Sequence, residues 1–331
     1  MKRPLGKKKK IKKRRREWAM CKLLGWFGEK YNNDVVRILK SLILLEANSN
    51  PHGLGIFAKT KNKEYLKKWE NPFQAFLETY HYLDIMVLRE PTFIMCHLRF
   101  ATTGVVSKEM AHPYRFSYLV GAHNGILNIK PQKKGESDTK SFLRMVNRRL
   151  STGQKMEEVL KDELSKEIGD FAFVIYDRKM GQLFFIRRRR PLVFIKTTLG
   201  IFWVSTEEMW KQAKEIAKVS IDSVRILTEE NVLYTIQKIK KEGVSEIKKV
   251  CEIAPPLPKG GWEWDSYSYS YPKYSYSSST RKFKNRDWYL YSEYDYWPED
   301  DYWPTYNYYN CYDKEDEKDK EIIKKRLLKK S

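Results

Sequence analysis

The sequence of 331 residues has few of the residues that build disulfide or metal frameworks. It contains four cysteines, with no CxxC pair among them, and five histidines. Such sparse, widely spaced cysteines argue against a disulfide scaffold and against a structural zinc site, and they are typical of a reducing compartment. We therefore predict a cytoplasmic protein that uses no metal and no other cofactor.

Long apolar segments are also missing. No run of about 18 apolar residues exists, so we predict no transmembrane helix and expect no membrane partner. The N-terminus lacks the apolar stretch that follows the basic part of a secretory signal. Residues 21–250, by contrast, are rich enough in Leu, Ile, Val and Phe to bury a full core, about 70% of their unfolded surface.

Positive charge is what the sequence has in excess, with a net charge of +22. Residues 1–20 hold eleven Lys or Arg and one Glu, which account for ten of these charges. We predict that this basic leader is disordered, and that nucleic acid is a candidate partner only through it. Three origins stay open: sequence upstream of a true start at Met20, a propeptide whose removal frees Cys21, or a retained polyanion-binding tail.

Apolar periodicity predicts an α+β fold. Helices are expected at 34–45, 72–84, 139–150, 156–168 and 207–219. Strands are expected at 21–27, 56–58, 92–100, 118–123, 171–176, 182–186, 192–196 and 201–205, followed by a closing strand pair within 224–236. Because strands and helices form separate runs instead of alternating regularly, a layered α+β arrangement is favoured over a parallel α/β sheet.

Composition changes abruptly at the run Pro255-Pro256-Leu257-Pro258. Residues 262–312 are dominated by Tyr, Trp, Ser, Asp and Pro, and aliphatic residues almost vanish, so no packed core is expected there. The predicted organisation is a basic leader at 1–20, one folded domain at 21–250 and a low-complexity tail at 251–331 that ends in a charged segment.

Cys21 is the first candidate catalytic residue, because it directly follows Met20. Removal of Met20 would leave a thiol and a free α-amine on one residue. A cysteine attacks a carbonyl as the thiolate, and its free pKa is about 8.5. The adjacent amine, with a pKa of about 8, can accept the thiol proton without a histidine partner. Such a pair can open an amide.

Three further sites supply what this reaction needs. Asn124-Gly125 follows a predicted strand and offers a side-chain amide and a backbone N–H to an oxyanion, although such a step is also typical of a hairpin turn. Arg99 can bind a carboxylate through two parallel hydrogen bonds, or form a surface ion pair. Asp138 can pair with a substrate ammonium group, or simply stand at a helix N-terminus.

As an ordered set, these sites resemble a known family. The motifs are Met20-Cys21, the block HLRFATTG at 97–104, His112-Pro113, His123-Asn124-Gly125 and Ser137-Asp138-Thr139. Their order is similar to that of the class II glutamine amidotransferase domain, an N-terminal nucleophile hydrolase, over about residues 20–240. Segments 21–25 and 50–56 are most similar to small stand-alone members. Segments 169–173, 190–192 and 204–207 match the later strands of the family. Each motif alone is weak, but the ordered set is specific.

The resemblance implies a four-layer αββα sandwich that hydrolyses L-glutamine to glutamate and ammonia through a cysteinyl thioester. It also implies the role of each site residue: Cys21 as the nucleophile with its own amine as the base, Asn124 and Gly125 as the oxyanion hole, Arg99 and Thr102 for the substrate carboxylate, and Asp138 for its ammonium. The histidines of the motifs, His97, His112 and His123, are interpreted as structural hydrogen-bonding residues.

Two features depart from the family pattern: Phe100 stands where Trp or Tyr is frequent, and twenty residues precede Cys21. Because residues 262–331 cannot fold a synthase domain, ammonia is expected to pass to a separate synthase or acceptor protein, to solution or to a small acceptor. Two alternatives stay open. The substrate can be another γ-glutamyl amide, or the chain can be a catalytically inactive binding module in which Cys21 never becomes the N-terminal residue.

Overall fold

Two antiparallel sheets lie face to face, and helices cover the outer face of each. The computed structural model describes residues 20–101, 106–129, 136–238 and 245–256. All of these residues belong to the unit Met1–Glu263. Within the described ranges, we find no helix that is both long and apolar enough to cross a membrane.

The strands, in chain order, are β1 (Lys22–Phe27), β2 (Leu54–Thr60), β3 (Glu64–Trp69), β4 (Pro91–Leu98), β5 (Tyr114–Arg115), β6 (Leu119–Ile126), β7 (Asp170–Asp177), β8 (Gln182–Arg188), β9 (Val193–Thr197), β10 (Gly200–Val204), β11 (Ser223–Leu227), β12 (Val232–Lys238) and β13 (Ser245–Glu252). The helices are α1 (Asn33–Ala47), α2 (Pro72–Arg89), α3 (Asp138–Ser151), α4 (Met156–Lys166) and α5 (Glu207–Ala217), with a short 3₁₀ turn at Lys108–Met110.

The strand order of the first sheet is β11-β9-β10-β1-β4-β2-β3, and that of the second is β13-β12-β8-β7-β6-β5. Side chains of a strand alternate between its two faces. In β1, Leu24 and Trp26 pack outward with α1 and α5, whereas Leu23 points into the layer between the sheets. Helices α3 and α4 cover the outer face of the second sheet through a third apolar cluster. The predicted αββα sandwich is confirmed.

Helix starts follow the local sequence. The side chain of Asn32 accepts hydrogen bonds from the backbone N–H groups of Asp34 and Val35, which caps α1. Ser137 caps α3 in the same way by accepting from Lys140. Because the apolar residues of each helix recur at helical spacing, one face of each helix is buried. The five helices predicted from the periodicity are all present, with ends that differ by a few residues.

The prediction that two strands within 224–236 pair with each other is wrong, although both strands are present. β11 joins β9 in the first sheet, and β12 joins β8 and β13 in the second. The sequence also did not indicate β3 and β13, which are lysine-rich edge strands without clean apolar alternation. Edge strands commonly carry lysines, because charge discourages pairing with another chain. Pairing over long sequence distances is not encoded in local periodicity.

The sheet registers bring three chain segments to one end of the sandwich. The start of β1 lies beside the end of β4, since Lys22 is paired with Leu98. In the second sheet, the end of β6 lies beside the start of β7, since Ile126 is paired with Asp170. The segments before β1, after β4 and around the end of β6 are those that carry the sequence-predicted site.

Candidate functional site

Cys21 directly precedes β1 and lies against the segment that follows β4. Its thiol donates to the carbonyl oxygen of Phe100 at 3.3 Å, and the backbone N–H of Phe100 donates to Sγ at 3.2 Å. Burial raises the pKa of the Cys21 thiol, while the Phe100 backbone and the positive charges of Arg99 and Arg190 act in the opposite direction. Burial outweighs these contributions, so the pKa of the thiol is raised overall, and the two arginines limit the rise.

Arg99 is held in place by the turn that precedes β2. Its backbone N–H donates to the carbonyl of Gly53 at 2.8 Å, and its carbonyl accepts from the N–H of His52 at 3.1 Å. Nδ1 of the His52 ring also accepts a hydrogen bond from the backbone N–H of Ala101, at 3.0 Å. Arg99 is buried, with 6% of its surface exposed. The turn thus positions a buried cation close to the thiol.

Asn124 and Gly125 lie near the end of β6, and Asn124 is buried. Gly125 has a φ of +131°, which L side chains rarely adopt. A Cβ at this position would also lie 1.9 Å from the carbonyl oxygen of Asp170. Both observations require glycine, because conformation and close approach exclude any side chain. The step is part of a strand end and not of the hairpin turn considered above.

The hydroxyl of Ser205 connects the two sheets at this end. Its Oγ accepts from the backbone N–H of Leu23 at 2.9 Å and donates to the carbonyl of Leu23 at 3.3 Å. The same Oγ accepts from Nδ2 of Asn124 at 3.2 Å. Since an amide nitrogen carries two hydrogens, Asn124 keeps a second donor. Ser205 therefore fixes the Asn124 amide relative to the strand that follows Cys21.

Three buried histidines surround the peptide that leads to Asn124. Nε2 of His97 and Nδ1 of His112 both lie 3.1 Å from the carbonyl oxygen of His123. A carbonyl oxygen only accepts, so both nitrogens carry hydrogen and these two rings donate. The rings of His97 and His112 are 4.3 Å apart between centroids. Together they hold the His123–Asn124 peptide in one orientation, which fits the structural role expected for these residues.

Burial lowers the pKa of all three histidines. It lowers the pKa of His97 to about 3, with the charge of His123 acting in the same direction. It lowers the pKa of His123 to about 4, against an opposing effect of the Asp138 charge. For His112, burial and the charges of His97 and His123 place the pKa well below its usual range. All three rings are therefore neutral at physiological pH.

Asp138 is the first residue of α3, where its carboxylate makes local hydrogen bonds. Oδ1 accepts from the backbone N–H of Thr139 at 2.6 Å, and Oδ2 accepts from that of Leu127 at 2.8 Å. Oγ1 of Thr139 donates to Oδ1 at 3.2 Å and is 2.8 Å from Nδ1 of His123. Each carboxylate oxygen has two lone-pair sites, so this helix-terminal role leaves acceptor capacity for a ligand.

The structure brings Cys21, Arg99, Asn124 and Gly125 to one end of the sandwich, and the Thr139 hydroxyl links Asp138 to His123, which precedes Asn124. Thr102 lies outside the described residues. Sequence reasoning missed the positioning roles of Ser205 and His52. Ser205 lies in segment 204–207 and His52 in the turn 50–56, and both segments resemble the family. The sequence therefore marked these segments, but it did not indicate what either side chain does. Their hydrogen bonds join residues far apart in the chain.

No family model matches the chain. Among curated proteins it is similar to the glutamine–fructose-6-phosphate aminotransferase (isomerizing) of Bacillus cereus, with 24% identity over 259 residues, which cover 73% of this chain and 41% of that protein. The enzyme of the same name from Thermococcus kodakarensis is 27% identical over 188 residues, covering 53% of this chain and 30% of that protein. The chain thus spans less than half the length of these relatives.

A solved structure described as the allosteric regulatory enzyme of purine biosynthesis is similar in fold. It matches with a TM-score of 0.52 and 19% sequence identity, over 69% of this chain and 49% of that chain. At this identity, the likeness supports the fold and not a shared activity.

Stability should depend on pH through the buried histidines. A histidine in the unfolded chain has a pKa of about 6.5. Between about pH 6.5 and about pH 3 the unfolded chain therefore binds more protons than the folded one. The contribution of neutral His97 is fully present above about pH 6.5 and is lost as the pH falls toward 3. We expect His97→Gln to destabilise most at neutral pH, with a difference from the unsubstituted protein that shrinks in acid.

Urea denaturation of both proteins between about pH 7 and about pH 4 measures this difference. Asn33→Gln, an exposed change that adds no titrating group, serves as the control, and its effect should stay constant over the range. A His97→Gln penalty that is constant or grows in acid would contradict the assignment of a neutral, buried ring.

Proposed function

We propose that this chain, a homologue of the class II glutamine amidotransferases, hydrolyses the side-chain amide of L-glutamine to glutamate and ammonia. The resemblance drawn from the motifs is confirmed, since the curated relatives are glutamine-dependent aminotransferases by name. The activity itself, its substrate and its partners are proposals, and they rest on the geometry of the site.

One observation carries the proposal. Ser205 Oγ binds the backbone of Leu23, two residues after Cys21, and the amide of Asn124 at the same time. The bond between Leu23 and Ser205 joins residues that are 182 positions apart along the chain. A thiol and an amide donor held in fixed relation are what a cysteine hydrolase needs, because the oxyanion forms next to the attacking sulfur.

The proposed reaction begins when the free α-amine of Cys21 takes the thiol proton. The thiolate attacks the γ-carboxamide carbon, and the carbonyl π electrons move to oxygen, where Nδ2 of Asn124 and the N–H of Gly125 stabilise the oxyanion. The Cys21 ammonium then protonates the amide nitrogen as the C–N bond breaks, which releases ammonia and leaves a γ-glutamyl thioester. Water, deprotonated by the amine, attacks the thioester, and glutamate leaves as the thiol is regenerated.

Substrate recognition is proposed for the two charged ends of a free amino acid. Arg99, with Thr102, would bind the α-carboxylate, and a planar guanidinium suits a carboxylate geometrically. Asp138 would bind the α-ammonium with the acceptor capacity that its helix-terminal bonds leave. The buried position of Arg99 supports this role, because a charge-assisted hydrogen bond is stronger when water is excluded.

The ammonia acceptor is proposed to be a separate synthase or another protein, and the cytoplasmic location stays a prediction. Activity requires that Cys21 becomes the first residue, because an amine tied up in the peptide bond to Met20 cannot act as a base. Whether the leader is removed therefore decides between the enzyme and the inactive binding module.

The direct test uses a protein that starts at Cys21, prepared by cleaving a removable segment placed ahead of it. This protein keeps every strand and helix described above, since β1 begins at Lys22. We expect it to release glutamate from glutamine, and Cys21→Ala to abolish that release. Cys251→Ala removes another partly buried thiol and should leave the rate unchanged.

Two results would contradict the proposal. Equal glutamate release by Cys21→Ala would exclude the nucleophile, and equal release by a protein that keeps Met20 would exclude the N-terminal amine as base. Release of a γ-glutamyl product from peptides but not from glutamine would favour the alternative substrate class. Intact mass spectrometry establishes the first residue of each sample.

Arg99→Ala should raise the KM for glutamine by about 10- to 100-fold, because a charged hydrogen-bonding partner of the carboxylate is lost. The analogue 4-aminobutanamide lacks the α-carboxylate, so Arg99→Ala should cost it much less than it costs glutamine. Arg178→Ala, which removes an arginine paired with Glu64, is the matched control. An equal penalty for both substrates would move the carboxylate site elsewhere.

Ser205→Ala should lower kcat by about 10- to 100-fold with little change in KM, because a misplaced Asn124 amide weakens stabilisation only of the transition state. Thr235→Val is the control, since it removes another buried hydroxyl that donates to a backbone carbonyl in the second sheet. Steady-state kinetics and urea denaturation of both variants separate the two effects. A kcat loss that Thr235→Val shares would indicate general destabilisation instead.

A further inference from the structure

The sequence contains four consecutive arginines, Arg187 to Arg190, which resemble a polyanion-binding patch. The fold uses them otherwise. Arg187 donates to Glu230 and to the carbonyl of Thr228, at 2.9 Å each. Arg188 is buried and donates to Asn231 at 2.6 Å and to a carbonyl of α4. Arg187 and Arg188 therefore hold the end of β8 to the β11–β12 loop and to α4.

Arg190 reaches the residue that precedes the nucleophile. Its Nη1 lies 2.9 Å from Sδ of Met20, and its Nη2 lies 3.5 Å from a carboxylate oxygen of Asp170. The side chain is 15% exposed. Asp170 also pairs with Arg189, at 3.4 Å. The Arg190 guanidinium therefore lies against the side chain of Met20, the residue that precedes Cys21.

The charged and titratable groups around Cys21 come from several elements. Positive charge is contributed by Arg99 after β4 and by Arg190 after β8, and both favour the Cys21 thiolate. On β1, Lys22 is paired with Glu46 of α1 at 3.5 Å. The second sheet contributes the neutral ring of His123, which also experiences the Arg190 charge, and the carboxylate of Asp170.

We propose that Arg190, held by Asp170, is a positioning residue whose charge keeps the freed α-amine of Cys21 in its basic, unprotonated form at neutral pH. The inference deepens the proposed function and rests on it. The guanidinium contacts the side chain of Met20, whose removal frees that amine, and its charge acts on Cys21. A nearby cation disfavours an ammonium group and favours a thiolate.

Such a charge serves both halves of the proposed reaction. A free α-amine has a pKa of about 8, so most of it is protonated at neutral pH and unable to act as a base. A general base works best when its pKa lies near the operating pH. Once the amine has taken the thiol proton, the same positive charge favours passing that proton to the leaving ammonia.

The test compares Arg190→Gln, Arg190→Lys and Arg189→Gln in protein that starts at Cys21. The first removes the charge, the second keeps it, and the third removes the other partner of Asp170. In Arg190→Gln we expect the acidic limb of the kcat/KM profile for glutamine to move up by about one pH unit. Arg190→Lys should restore most of the original profile, and Arg189→Gln should leave it in place.

Alkylation of Cys21 by iodoacetamide, followed by mass mapping of its peptide, gives a readout that needs no catalysis. The pH midpoint of this reaction should also rise in Arg190→Gln and not in Arg189→Gln, because the thiolate loses a favourable charge. If the unsubstituted protein releases no glutamate, the proposed function fails, whereas the alkylation profile still reports the charge effect.

The proposal for Arg190 is overturned if both profiles are unchanged in Arg190→Gln, or if Arg189→Gln shifts them equally. It is also overturned if Arg190→Gln and Arg190→Lys lose the same activity at every pH, since that would indicate packing and not charge.

Discussion

The apolar layer between the two sheets is the constraint on which the candidate site depends. Its members come from alternate positions of strands in both sheets, among them Leu23 of β1, Ala122 of β6 and Trp203 of β10. Close packing fixes how one sheet lies over the other, because interiors tolerate few voids. The start of β1 and the end of β6 therefore lie in one fixed arrangement. The side chains of the candidate site at these strand ends are held in the same arrangement.

At the end of that layer, the chain places polar groups in a dry environment and joins several of them by hydrogen bonds. Ser205 binds the backbone of one sheet and the Asn124 amide of the other. His97 and His112 share a single carbonyl, that of His123. Buried polar groups without partners are costly, so a network of this kind has few alternative arrangements. The network therefore makes the Asn124 peptide rigid, which the proposed oxyanion site requires.

Electrostatics around Cys21 oppose the effect of burial. The thiol is partly withdrawn from water, which favours its neutral form, while Arg99 and Arg190 favour the charged form. The two arginines enter from different sheets, and each is held by backbone or carboxylate contacts on its own side. In the proposed reaction the base is the α-amine of Cys21 itself, so the surrounding charges are the groups that would set the pKa of that amine.

The sequence by itself determined the helices and most strands, and its motifs predicted the candidate site residues. Cys21, Arg99, Asn124, Gly125 and Asp138 were predicted because the order of their motifs along the chain is specific. Helices α1 to α5 were found because periodicity and caps act within a few residues.

Only the tertiary structure decided which strands pair, and which residues support the site. β11 and β12 are consecutive and yet belong to different sheets, because the apolar layer and the register, not chain proximity, select their partners. Ser205, His52 and Arg190 act on residues 182, 49 and 170 positions away, respectively. Local propensity holds no information on such contacts, which exist only once both sheets have packed.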